Sequence, residues 1–368
     1  MRKPLLMIPG PVDLTERVAA AFASPILPHY GDDWVKTLAE AHAGMKRIFG
    51  TESDVFLLPG SGSAGLDAAI GSLLRPGEDA LVMRNGAFGD RLVAITESHG
   101  VKVTVHDTEW GKAVTPDAVE SELRKKKFAA LIVIHNETST GVVNPIRGIG
   151  EVCRRHDVPL IVDGISSIGG MEMRMDEWGV DLCVTASQKC LGAPAGLSPV
   201  AVSQRAWRLI KAAQPSGWYL NLLVWQDFAA KWGDWHPHPV TMPVNIVLAL
   251  LESTKEILEE GLEARFRRHA DAAAHLRRSL RDLGFSILAD EAVASGSVTT
   301  AIAPEGIPSK AISDYFLRER NTMVAFAHAH LKDRAIRIGH MGANATRGKV
   351  DLLLDGIRDA LRMRSRPQ

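Results

Sequence analysis

Two residues with uncommon chemical potential stand directly behind apolar runs in the middle of the chain. Asp163 closes the run 158–162, and Lys189 follows the run 180–185 by way of Ser187-Gln188. Strands buried on both faces read as continuous apolar runs, and in open α/β sheets their carboxyl ends open into the ligand crevice. The spacing therefore predicts an acid and an amine in one crevice. A lysine amine condenses with an aldehyde as a Schiff base, and a carboxylate keeps a ring nitrogen protonated so that the ring draws electrons from a bound substrate. Taken singly, Asp163 reads as a strand-end turn residue and Lys189 as a solvated lysine. Taken with the Ser, Gly and Gln around them, they point to an aldehyde cofactor.

Other elements must bring partners to that crevice. The apolar strand 54–58 runs into Pro59-Gly60-Ser61-Gly62-Ser63-Ala64-Gly65 and an apolar helix over 66–74. A Gly/Ser turn feeding a helix offers unpaired N–H groups and the positive end of the helix dipole, an anion site suited to phosphate. The same turn fits GxGxxG through Gly60, Gly62 and Gly65, with Glu78 and Asp79 following, so a dinucleotide reading stands beside the phosphate one. That reading leaves Asp163 and Lys189 without a task. Strand 80–83 ends in Arg84-Asn85-Gly86-Ala87-Phe88-Gly89, where Phe88 is either a core ring or a flat face for a cofactor. Strand 128–134 ends in His135-Asn136-Glu137-Thr138-Ser139-Thr140-Gly141. Thr115-Pro116 marks a helix start, and Lys125 to Lys127 complement that helix's C-terminus. The strand-helix alternation over 54–185 predicts a mostly parallel sheet wrapped by helices, with Asp163, Thr138, Phe88 and the Ser61 turn at strand ends of one polarity.

Beyond 205 the helical pattern continues over 206–214, 245–260 and 262–283, and the Trp-rich stretch 217–235 reads as lid or interface surface. The texture then becomes α+β, with strands at 285–288, 298–302, 322–326 and 335–338 and helices at 309–320 and 346–361. We place a domain boundary near 260: a large domain 1–260 with an extended segment 1–14, and a small C-terminal domain 261–368. Tyr30 lies on no periodic element and is a candidate substrate contact.

Lys plus Arg equal Asp plus Glu at 43 each, so no net field favours nucleic acid or an anionic membrane. Three scattered cysteines without CxxC spacing suit a reduced, cytoplasmic protein. The opening residues, broken by Pro4 and Pro9, make a poor signal peptide, and the longest apolar run, 128–134, is far too short to cross a bilayer. His236 and His238 lack a third ligand, so no metal is expected.

The stretch Ser187-Gln188-Lys189-Cys190-Leu191-Gly192-Ala193-Pro194-Ala195-Gly196 resembles the class V, fold-type I aminotransferases, in particular the alanine/serine-glyoxylate branch. The likeness runs from Pro9-Gly10-Pro11 to Arg337-Ile338-Gly339. It implies a mostly parallel seven-stranded α/β sheet, a smaller C-terminal domain, and a homodimer with shared active sites. It implies pyridoxal 5'-phosphate on Lys189, with Asp163 at the ring nitrogen, Phe88 and Ile165 on the ring faces and Thr138 near the phenolic oxygen. Ser61, Gly62, Ser63 and Gln188 would hold the phosphate, and Thr241 would reach it from the partner subunit. Arg337 would grip the substrate carboxylate, and His238 stands where many relatives have tyrosine. The implied reaction is ping-pong transfer of an amino group from an alanine- or serine-type donor to glyoxylate or pyruvate. Lys-Cys-Leu-Gly-Ala-Pro together with Arg-Ile-Gly-His-Met-Gly is also similar to pyridoxamine-pyruvate aminotransferases, the alternative reading. A cysteine desulfurase would need a mobile cysteine, which Cys190 beside Lys189 is not. Val324 to His330 replaces the Gly-rich turn usual ahead of the substrate arginine, and the roles of His328 and His330 stay open.

Overall fold

The computed structural model of the protein describes residues 4–364. Its centre is a seven-stranded sheet of Asp54–Pro59 (β1), Asp79–Arg84 (β2), Lys102–Asp107 (β3), Ala130–Ile134 (β4), Leu160–Asp163 (β5), Leu182–Val184 (β6) and Leu197–Val202 (β7), in the order β1-β7-β6-β5-β4-β2-β3. Only β7 runs against the rest, antiparallel to both β1 and β6. The carboxyl ends of the other strands therefore share one edge. β4, β5 and β6 are buried along their whole length, as their unbroken apolar sequences require.

Helices cover this sheet. Asp32–Phe49 (α1) buries Leu38, Ala41, Met45 and Ile48 at helical spacing and stops at Gly50, whose φ of 65° is left-handed. Gly62–Leu73 (α2) leaves the end of β1 and lies hard against the sheet at Gly65, where an added Cβ would come within 2.7 Å of Val184. Ala87–Ser98 (α3) leaves the end of β2. Thr115 caps the next helix by accepting the Ala118 amide at 3.1 Å.

A second core forms around the four-stranded antiparallel sheet of Ser286–Ile287 (β8), Val298–Ile302 (β9), Ala325–Phe326 (β10) and Ala335–Gly339 (β11), in the order β8-β9-β11-β10. Helices Val244–Glu260 (α4) and Leu262–Asp282 (α5) meet at Gly261; α4 packs in the first core and α5 in the second. The beginning of the chain crosses over: Leu5–Leu6 pairs with Thr322–Met323, and Met7 is fully buried in the second core. The stretch 322–326 is thus two short strands in different sheets rather than one.

Candidate active site

Six residues at the shared sheet edge line one cavity of about 190 Å³ together with their neighbours: Ser61, Phe88, Thr138, Asp163, Gln188 and Lys189. Gly62, Ser63 and Ile165 also line it, so nine of the residues singled out in the sequence meet there. Asp163 arrives as the last residue of β5, and its Oδ1 accepts the Ile165 amide at 2.8 Å. Ser61 stands at the N-terminus of α2 in an extended conformation, and its side chain does not cap the helix. The first amides of α2 consequently keep their capacity for an anion.

Thr138 Oγ1 donates to Ser166 Oγ at 2.7 Å, and that hydroxyl donates on to the Asn136 carbonyl at 2.8 Å. Beneath it lies Glu137, wholly buried, accepting the Ser139 hydroxyl at 2.6 Å and the amides of Ser139 and Gly89 at 2.9 and 3.2 Å. Burial raises the Glu137 pKa. This carboxyl ties the end of β4 to the first turn of α3, which carries Phe88.

Two buried polar atoms of the cavity lining, Gln188 Oε1 and Asn136 Oδ1, have no hydrogen-bond partner among the described residues. Buried polar atoms are nearly always paired, so such orphans mark a place for a ligand. Lys189 Nζ donates to the Pro9 carbonyl, and Gly10 packs on the lysine stem so tightly that a Cβ there would fall 2.5 Å from Cδ. Arg337 on β11 is buried; its Nε donates to the Phe326 carbonyl at 2.9 Å and its Nη1 to the Thr138 carbonyl at 3.4 Å. No carboxylate pairs with it among the described residues.

A sequence model of the family described as Aminotransferase class-V matches residues 15–353. The chain belongs to the class V aminotransferases. It is similar to an uncharacterized aminotransferase of Methanocaldococcus jannaschii, 39% identical over 92% of this chain and 88% of that one. It is also similar to alanine-glyoxylate aminotransferase of Oryctolagus cuniculus, 35% identical over 98% and 95%. Among solved structures, ureidoglycine-glyoxylate aminotransferase of Bacillus subtilis superposes with a TM-score of 0.94 at 29% identity, covering 99% of this chain and 94% of that one. Pyridoxamine-pyruvate aminotransferase of Mesorhizobium loti gives 0.93 at 26%, with the same coverage. Membership makes this protein a transferase and implies pyridoxal phosphate.

The electrostatics of this aminotransferase follow from burial. Desolvation and then the charge of Arg337 push the Lys189 amine down to about 8. Desolvation, with Glu137 adding to it, pushes the Asp163 carboxyl up to about 7. Burial lowers Arg337 to about 10. Burial also raises the Cys190 thiol to about 11, and its Sγ donates to the Ser166 carbonyl at 3.4 Å, so this cysteine is a fixed core residue.

Four sequence candidates do not line the cavity: Arg337, on β11, and Tyr30, His238 and Thr241. Tyr30 is half exposed against Trp235, at a ring separation of 5.5 Å, and Thr241 is exposed. His238 is buried with both ring nitrogens engaged, Nε2 with Trp34 Nε1 and Nδ1 with the Val240 carbonyl, each at 2.8 Å. Trp34 must donate, so His238 is neutral with its proton on Nδ1, and burial lowers its pKa to about 4. The lining residues not singled out beforehand are Arg91, Ile134 and Asn136. Arg91 was legible as the residue one helical turn beyond Phe88, on the same face. The acids that accompany GxGxxG sit at the wrong end: Asp79 opens β2, at the sheet edge opposite Gly60, and pairs with Lys126 at 2.8 Å. The turn therefore lacks the acid that would hold a ribose.

Proposed function

We propose that this aminotransferase moves an amino group from a small donor of the alanine or serine type to a small 2-oxo acid such as glyoxylate or pyruvate, in two half-reactions, with pyridoxal 5'-phosphate carried on Lys189. The observation that carries this reading is one cavity holding an amine with a depressed pKa, a buried acid and an uncapped helix N-terminus. When bound, the cofactor supplies an aldehyde that receives the amino group and a ring that withdraws electrons from the substrate α-carbon. Lys189 Nζ, substantially unprotonated near pH 8, takes the α-proton as a general base. Asp163 Oδ2, which accepts no hydrogen bond among the described residues, holds the proton of the ring nitrogen. Ser61, Gly62, Ser63 and Gln188 bind the phosphate, Phe88 and Ile165 pack on the ring, and Thr138 orients its oxygen. The guanidinium of Arg337, buried without a counterion among the described residues, receives the α-carboxylate through parallel N–H bonds.

The protein works as a homodimer in this reading. Exposed Trp218, Tyr219, Trp232 and Trp235 offer apolar area for a second copy, and Thr241 on the following segment, with Tyr30, reaches the partner's site. The separate cores support the division near residue 260. The likeness to pyridoxamine-pyruvate aminotransferase keeps free pyridoxamine as a second candidate donor. The open α2 terminus weighs against it, and phosphorylated cofactor retained through gel filtration would count against it too.

The reading is tested by half-reactions. Loaded protein mixed with alanine or serine, without an oxo acid, loses the absorbance of its bound aldehyde, and glyoxylate or pyruvate restores it. A spectrum indifferent to every amino acid overturns the proposal.

A further inference from the structure

We infer that Arg91 and His328 form a second acid-recognising arm facing Arg337, so that the site favours an amino or oxo acid carrying a second carboxylate on its side chain. This inference rests on the transaminase reading of the site and replaces its alanine- or serine-type donor with one that carries a side-chain carboxylate.

The case begins with Phe88. The Arg91 guanidinium stands 4.7 Å from the centroid of the Phe88 ring, and the His328 ring meets it edge-on at 5.6 Å. Both groups therefore lie within reach of one short substrate side chain. Arg91 lines the cavity with Lys189, and among the described residues it has neither an ion pair nor a hydrogen bond. The acid beside it in sequence is taken: Asp90 pairs with Arg84 at 2.6 Å.

His328 supplies an independent sign. Its Nε2 is buried and lacks any hydrogen-bond partner. Besides burial, the groups that act on its charge are Arg337 and Arg91, both positive. Of the two carboxyls nearby, Glu137 is committed to Ser139 and Gly89, and Asp163 gives Oδ1 to the Ile165 amide, its Oδ2 being the oxygen assigned to the ring nitrogen. The Arg91 guanidinium and His328 Nε2 thus stay without a hydrogen-bond partner among the described residues. A monocarboxylate satisfies Arg337 and leaves Arg91 and His328 as they are. A second carboxylate at the far end of the substrate satisfies all three, and charge-assisted contacts to guanidinium are the strong kind. His328 stands in the stretch 324–330, which contains no glycine and two histidines.

Cofactor-loaded protein titrated calorimetrically with glutarate and with butyrate, neither of which has an amino group to react, tests the arm. Glutarate is expected to bind about tenfold or more tightly. Arg91→Gln is expected to remove most of that margin and His328→Ala part of it, with bound cofactor per chain at the wild-type level after gel filtration. Equal affinity for the two acids in the wild type, or a margin that survives Arg91→Gln, overturns the inference. Loss of cofactor from Arg91→Gln also overturns it, because Arg91 would then serve the cofactor phosphate. Half-reactions with aspartate, glutamate and alanine separate the two levels: alanine reacting as well as either acidic donor removes the second arm alone. If no amino acid reacts, the transaminase reading falls with it.

Discussion

At the scale of single residues, the site is built from groups that burial has moved toward neutrality. A Lys189 amine at about 8 can attack an aldehyde at physiological pH, where an ordinary lysine is almost wholly protonated. The rate at which unloaded protein captures pyridoxal phosphate should rise through a midpoint near pH 8, read by stopped-flow absorbance. Because Arg337 is the largest charge holding that amine down, Arg337→Gln should move the midpoint upward; an unmoved midpoint contradicts the assignment. Asp163 gives a second prediction. Its pKa of about 7 in the folded chain lies above the ordinary 3.8, so folding binds its proton more tightly. That contribution is full below about 3.8 and is lost as pH rises through about 7. Unloaded Asp163→Asn should therefore gain thermal stability over wild type at pH 8, on the order of a few kcal/mol, and little at pH 4.5. The same variant should lose most turnover. A stability gain equal at both pH values contradicts the buried-acid account.

At the scale of elements, the parallel strands were legible because each is a short apolar run buried on both faces, and their common polarity brought Ser61, Phe88, Thr138 and Asp163 together. β7 was not legible, since Pro199 within it argues against a central strand. The structure tolerates it because the Pro199 carbonyl still accepts the Thr185 amide at 2.9 Å. The helix Glu16–Phe22 was hidden by the prolines around it, and Leu222–Lys231 by the aromatic character of its stretch. Gly65 illustrates a motif read two ways: its lack of a side chain serves helix-on-sheet contact, with Ser198 and Val184 filling the space. Gly65→Ala should cost about 1–3 kcal/mol in denaturant unfolding, as overpacking of a filled core does. A neutral substitution would mean that α2 can lift from the sheet. Gly10 has a φ of 85° as well as the lysine stem against it, so it has no room for a side chain either.

At the scale of the whole molecule, the first described residues bind the two cores together. Met7 lies in the second core while Pro9 and Gly10 close over Lys189, so the site is framed by both. Sequence pattern gave no sign of this, because a short extended segment has no periodicity from which its partner can be read. Among the described residues no helix is long and apolar enough to cross a membrane. Light scattering should give twice the chain mass, 39.9 kDa each, if the exposed tryptophans meet a second copy. Thr241→Ala should then weaken phosphate-dependent cofactor retention in that assembly. A stable monomer with full activity contradicts the shared-site reading. The central claim is tested most directly by reducing the loaded protein with borohydride and mapping its peptides. The account predicts a pyridoxyl-phosphate mass on Lys189, absent from Lys189→Ala; an unmodified Lys189 in a preparation that was fully active before reduction and inactive after it would contradict it.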